Sequence, residues 1–269
     1  MLYLLKIAYL NIIRHKRRSV LTFLVLSFGV MIYIFMSSFL EGFNRQSIES
    51  MISYETGHMK VRNSAYDEDE PFTFSSFLSD HEKARQAVLA RPFVKAVSPR
   101  IIFPGEADNG TDSLNCMIYG INIDDEDGVF SFRKFIISGN LAPGGALIGK
   151  GLAEDLGLKK GDQIFLTFRT GQGMLDSVEL EITGLLYAPS LVVNNSGVYM
   201  NLGEAMELLN TGAVTELAIR TDDFTKHKEY KKDLSAVMPG LSVKSWEDLQ
   251  GNVSALVETK GRFANIFVL

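Results

Sequence analysis

The sequence predicts an α+β protein held by one N-terminal transmembrane helix. Three observations predict it. Ser19 to Leu40 runs for 22 residues without a charge. A strand–helix–strand pattern follows that segment, and a second such pattern lies near the C-terminal end. Between the two patterns, about a hundred residues are dominated by strand signals.

The apolar segment reads SVLTFLVLSFGVMIYIFMSSFL. As a helix it would extend about 33 Å, enough for a hydrocarbon core of about 30 Å. A cleaved signal peptide has a shorter apolar region and a small-residue cleavage site, and Met36-Ser37-Ser38-Phe39-Leu40 is a poor one. Residues 19–40 therefore predict a retained span. Arg14, Lys16, Arg17 and Arg18 precede it and Glu41 follows it. Basic flanks stay inside, so these four residues predict a cytoplasmic N-terminus and an outside body. Residues 2–13 are apolar except for Lys6 and Asn11. They are too short to span, and residues 1–18 predict an interfacial helix on the cytoplasmic side. Phe28, Met31, Phe35 and Phe39 recur at spacings of three and four within the span. That stripe either lines a substrate path or meets lipid and a neighbouring helix.

Residues 41–260 form the predicted outside domain. The first helix continues through about residue 55, and Gly57 to Arg62 reads as a strand. Asp67-Glu68-Asp69-Glu70 reads as a solvated loop. Ser79 and Glu82 make a capping-box pattern for a helix that ends before Pro92. Val94 to Phe103 is extended again. The same order recurs with a strand at Val214 to Arg220, a helix at Thr225 to Val237 and a strand at Leu241 to Ser245. Two such units predict a ferredoxin-like sheet with helices on one side, built from residues 56–103 and 213–246. Residues 104–200 predict an inserted β-rich lobe. Within it, Gln163 to Arg169 and Ser177 to Tyr187 flank Thr170-Gly171-Gln172-Gly173, a hairpin signal. Val178, Leu180 and Ile182 alternate with polar residues, so one face packs and the other is wet. Ser245 and Asp248 begin another helix, with Trp246, Leu249, Val253, Leu256 and Val257 at helical spacing. It leads into Phe263 to Leu269, which predicts that residues 261–269 start a second span.

Charge and motifs narrow the function classes. The formal net charge is −5, and residues 1–40 hold five bases and no acid, leaving about −10 on the remainder. An acidic body argues against nucleic-acid binding, which needs a basic footprint. Cys116 is the only cysteine, so neither an intrachain disulfide nor a cysteine zinc site is available. GGALIGKG at residues 144–151 is close to a phosphate-binding loop, but Gly151 stands where the Mg²⁺-binding hydroxyl belongs. It reads instead as a turn, a strand over Ala146 to Ile148 and a short helix ended by Gly157. Asp124-Asp125-Glu126-Asp127-Gly128 resembles a calcium loop, but the register puts Ile123 and Lys134 where carboxylates are needed, so it reads as a solvated acidic turn. His15, His58, His81 and His227 are scattered. No catalytic or metal-ligating residue is predicted.

Several of these residues resemble a known family. Residues 8–19 (AYLNIIRHKRRS), Thr56 to Val61 (TGHMKV), Ala146 to Ala153 (ALIGKGLA) and Leu156 to Asp162 (LGLKKGD) are similar, in order and spacing, to permease subunits of ABC transporters. The likeness is to the macrolide-exporter, lipoprotein-releasing and FtsX type with its MacB-like periplasmic core domain. The resemblance implies a non-enzymatic subunit in a bacterial inner membrane, working as a homo- or heterodimer of permeases. It implies separate cytoplasmic ATPase subunits that bind ATP, so no cofactor is expected in this chain. It also implies that ATP-driven movement is relayed to the outside domain, for lipoprotein release or export of lipophilic or peptide substrates. A chain ending as a second span begins would be the first part of such a permease. Two alternatives differ in class: an FtsX-like regulator of cell-wall hydrolases, and a single-span anchored binding protein.

Overall fold

The computed structural model describes residues 14–66, 73–188 and 190–249. The interfacial helix expected in residues 1–13, the acidic loop at Asp67 to Glu70 and the start of a second span lie outside the described residues. The chain divides into two compact units, one through Glu49 and one from Ser50.

The first unit is built on helix α1 (Lys16–Met51), which contains a stretch long and apolar enough to cross a membrane, with mean hydropathy 2.3. Its large apolar side chains from Val20 to Phe43 are exposed. A helix apolar on every side needs an apolar surrounding, because no single face can gather its surface away from water.

The second unit begins with a π-helical turn over Ile52–Thr56 and contains one ten-stranded sheet. Its elements follow in the order β1 (Met59–Asn63), α2 (His81–Leu89), β2 (Val94–Asp108), β3 (Ser113–Ile121), α3 (Ile123–Phe130), β4 (Ile136–Gly139), β5 (Gly145–Gly149) and α4 (Lys150–Asp155). Then come β6 (Gln163–Arg169), β7 (Leu175–Leu186), α5 (Leu191–Ser196), β8 (Gly197–Asn201), α6 (Leu202–Leu209), β9 (Glu216–Thr221), α7 (His227–Val237), β10 (Leu241–Ser245) and α8 (Trp246–Leu249).

At one side the strand order is β10-β1-β9-β2, antiparallel throughout. This is the predicted ferredoxin-like arrangement, with β1-α2-β2 and β9-α7-β10 as its halves. Met59, Val61, Val97, Leu217, Ile219 and Val243 pack under Val88 of α2 and Tyr230 and Leu234 of α7.

β2 is 15 residues long, and its two halves pair different neighbours within the one sheet. Val94 to Arg100 pairs β9, whereas Gly105 to Asp108 pairs β6. Pro104, which has no N–H to offer, falls in the interval between these partners. From there β2, β3, β8, β5, β7 and β6 each pair with the next, and β6 returns to β2. The inserted β-rich lobe is thus a closed six-stranded barrel, which leaves no free edge among those strands. Ile101, Phe103, Ile118, Ile148, Ile164, Leu166 and Ile182 fill it.

Local expectations met mixed outcomes. β2 continues five residues past the expected Phe103 because the barrel extends the same strand. The Ser79–Glu82 box does not form, since α2 starts at His81 and its cap, Asp80, makes no side-chain cap bond. Asp124 to Gly128 is not a solvated turn. It is the body of α3, whose Glu126 is 1% exposed. β4, α5, β8 and α6 were not anticipated individually.

GGALIGKG becomes the end of a turn, β5 and the start of α4. A Cβ at Gly149 would collide with backbone of Val193 and Asn194, and one at Gly151 with the Asn195 side chain. These glycines let α5 lie directly on the strand end, so they serve packing.

Candidate functional site

Two chain connections meet at one end of the ferredoxin-like sheet. The incoming chain leaves α1 through the π-helical turn, where the Gly57 N–H donates to the Ile52 carbonyl at 3.0 Å. Gly57 has φ +64°, and a Cβ there would lie 3.3 Å from the Ile219 carbonyl oxygen. A side chain would be strained on both counts. The His58 N–H then donates to that same Ile219 carbonyl at 2.9 Å. The outgoing chain leaves β10 beside it, with Ser245 in register with Met59. The Trp246 N–H donates to the His58 carbonyl at 3.1 Å. Entry and exit are therefore joined by one backbone hydrogen bond.

Side chains reinforce the joint. Ser245 and Asp248 form the predicted capping box: the Ser245 N–H and Oγ each lie 2.7 Å from Asp248 Oδ2, which also faces Lys231 Nζ at 2.9 Å. Trp246 Nε1 donates to the Phe224 carbonyl at 3.0 Å, and its ring meets His227 edge-on. His227 Nε2 lies 2.9 Å from Glu247. On the other side, His58 Nδ1 accepts from the Thr221 N–H at 3.2 Å. That bond places the ring proton on Nε2, because a protonated Nδ1 could not accept. Burial, with Arg220 adding repulsion, lowers the His58 pKa to about 4 against the partial offset of Asp223 and Asp222.

A second layer lies on the sheet face opposite α2 and α7. Strand alternation sends Met59 and Val61 into the core and Lys60 and Arg62 to this other face. Glu216 of β9 sits between them, 2.8 Å from Lys60 Nζ and 2.8 Å from Arg62 Nη2. Arg100 of β2 reaches Glu216 at 3.4 Å and Glu126 of α3 at 3.3 Å. Ser98 Oγ donates to Glu126 at 2.6 Å. The Arg100 guanidinium also lies 4.8 Å from the centre of the Phe130 ring.

All five ionisable groups are buried, and cations outnumber carboxylates three to two. Burial alone would raise the Glu216 carboxyl, but Lys60, Arg62 and Arg100 hold it well below the usual range. Burial raises Glu126, against the pull of Arg100 and Ser98. Burial also lowers Lys60 despite Glu216 beside it. α3, which belongs to the insertion, is thereby tied by charge to the ferredoxin-like sheet. Arg85 of α2 holds it from outside through Asp125 at 2.9 Å.

The sequence marked the Ser245–Asp248 box but not its meeting with the entry strand, and it did not mark the ion cluster. Among the described residues, no group of three or more His, Cys, Asp or Glu is placed to hold a metal. The residues that were singled out lie on α1 or directly before it. Phe28, Met31, Phe35 and Phe39 are exposed along it, with the rings of Phe35 and Phe39 stacked at 6.4 Å. Arg14, Lys16, Arg17 and Arg18 gather, exposed, at its N-terminal end.

A family model described as the MacB-like periplasmic core domain matches residues 19–237. The chain belongs to that family. No curated protein matches the sequence. Among solved structures, the MacB-like domain resembles the periplasmic region of MacB from Actinobacillus actinomycetemcomitans. That match has a TM-score of 0.51 at 11% identity and covers 77% of this chain and 98% of the other. The extracellular domain of the noncanonic ABC-type transporter YknZ from Gram-positive bacteria matches with a TM-score of 0.49 at 16% identity, over 70% of this chain and 99% of that one. The first likeness concerns fold. In the MacB-like domain described here, the joint and ion cluster are the features that tie its parts together.

Proposed function

We propose that the chain is a transmembrane permease subunit of an ABC transporter. It relays movements of a separate cytoplasmic ATPase to the domain outside the membrane. Residues 19–40 span a bacterial inner membrane, and the basic cluster from Arg14 to Arg18 keeps the N-terminus cytoplasmic. ATP is bound by the partner subunits, and a second permease subunit completes the dimer. The substrate is a lipoprotein to be released or a lipophilic or peptide molecule to be exported. Phe28, Met31, Phe35 and Phe39 supply an apolar wall of its path within the membrane.

The observation that carries this reading is the joint. The strand that follows α1 and the strand that precedes α8 are neighbours, and the Trp246 N–H bonds to the His58 carbonyl. A displacement of either connection acts on the same sheet end, and the ion cluster couples that sheet to the insertion through α3. A hydrogen-bonded path of this kind transmits displacement without chemistry of its own.

The test is isolation of the tagged chain from its source membrane, followed by hydrogen exchange with and without ATP. An ATP-binding-cassette subunit should co-isolate, and exchange at Gly57 to Met59 and Ser245 to Leu249 should change with ATP. Isolation without such a subunit, or exchange indifferent to ATP, would sink the relay.

A further inference from the structure

A groove at the rim of the barrel has a use that the relay does not require. It lies where β2 changes partners, between the Thr73–Phe74 segment and the turn joining β6 to β7. Its volume is about 660 Å³, within the range of sites that enclose a small organic molecule. Phe74 walls the groove over the buried rings of Phe103 and Phe168, and Leu175, 68% exposed, forms an apolar lip. Phe103 and Phe168 hold each other edge-to-face at 5.5 Å, so that part of the wall is preformed.

One polar atom stands out. Thr170 lines the groove, is 8% exposed, and its Oγ1 is buried with no hydrogen-bond partner. Its backbone N–H is already engaged with the Met174 carbonyl at 2.8 Å, so the turn does not need the hydroxyl. A buried hydroxyl without a partner destabilises a folded protein, which makes it a candidate for a ligand to satisfy. Charge at the mouth is balanced, with Glu106 against Arg169. Arg169 is already turned to the Gly173 carbonyl at 3.3 Å. The mouth therefore favours neither an anion nor a cation.

We propose that this groove binds a neutral amphiphile: an apolar ring or chain laid against Phe74 and Leu175, with one uncharged hydroxyl or carbonyl bonded to Thr170 Oγ1. The site is separate from the joint, and the proposal stands whether or not the relay does.

The experiment uses the full chain in lipid nanodiscs and a diazirine-bearing fatty alcohol as photoreactive probe, with labelled peptides identified by mass spectrometry. Labelling is expected on the peptides containing Phe103 to Asn115 and Thr167 to Leu175, and unlabelled dodecanol should compete it away. Thr170→Val keeps the shape and removes the hydroxyl. It should raise the probe concentration for half-labelling about five- to tenfold while raising the melting temperature, since an unsatisfied polar atom is gone. Leu175→Glu, at an exposed lip where folding is not at stake, should weaken labelling by putting a charge against the apolar body. Three results would each overturn the proposal: labelling confined to α1, labelling unchanged in both variants, or equal capture of the corresponding photoreactive fatty acid.

Discussion

Three single residues carry distinct electrostatic loads. His58 has a folded pKa of about 4 against an ordinary 6.5, so the folded state binds fewer protons than the unfolded chain in that interval. Its contribution to stability is complete above about pH 6.5 and is lost as pH falls toward 4. His58→Asn keeps an acceptor near the Thr221 N–H and cannot titrate. The variant's melting temperature should change less than wild type's between pH 6.5 and 5, before most carboxylates protonate; parallel curves would mean that His58 does not titrate as described. The two buried glutamates should part company in the same way. Glu216 is held charged by three cations, so Glu216→Gln leaves Lys60, Arg62 and Arg100 facing one carboxyl. The expected loss is about 3–5 kcal/mol by urea denaturation. Glu126 is already pushed toward its neutral form by burial, and Gln is close to that form in shape and charge. Glu126→Gln should therefore cost clearly less, and equal losses would refute this division of roles.

At the scale of elements, α5 and α3 show what a linear reading could and could not find. α5 rests on Gly149 and Gly151 with no room for a Cβ. Gly149→Ala should lower stability by about 2 kcal/mol or more, in line with overpacking, and a melting temperature within a degree of wild type would contradict the packing role. The alternation of β7, the span of β10 and the Ser245–Asp248 box were legible, because each is a local pattern enforced by a local cause. α5, β8 and α6 were not, because five to eight residues give little periodicity and their order depends on strands far away in sequence. α3 could have been found. Asn122 accepts from the N–H groups of Asp124 and Asp125, and acids fill the first turn. A cap followed by acids is a helix-start signal, since carboxylates suit the positive end of the helix dipole. The acidic run read as a wet turn because nothing local marks Glu126 as different from its neighbours. Its partner Arg100 lies on another element, and only the fold brings them within 3.3 Å. The ion cluster was hidden for the same reason: Lys60 and Arg62 look like a strand's wet face until the fold sets Glu216 of β9 between them.

At the scale of the whole molecule, the topology is the assumption on which the relay rests. A cytoplasmic ATPase can act on an outside domain only if the span carries the chain across. The chain offers a clean background for testing this. Its one cysteine, Cys116, is buried, and burial with Glu106 nearby pushes its thiol pKa up to about 12. Thiolate is the reactive form, so native Cys116 should be nearly silent toward maleimides at neutral pH. Lys160 is exposed in the turn before β6. Lys160→Cys in intact cells, with the outer envelope made permeable, should react with a membrane-impermeant maleimide while the parent chain does not. Replacing Arg14, Lys16, Arg17 and Arg18 together with Gln removes the charges that hold the N-terminus inside. Labelling of the Lys160→Cys chain should then fall several-fold at equal expression. Full labelling after that change would show that these four residues do not set the orientation. Labelling of Lys160→Cys only after the inner membrane is broken would place the domain in the cytoplasm, and the proposed relay would fail with it.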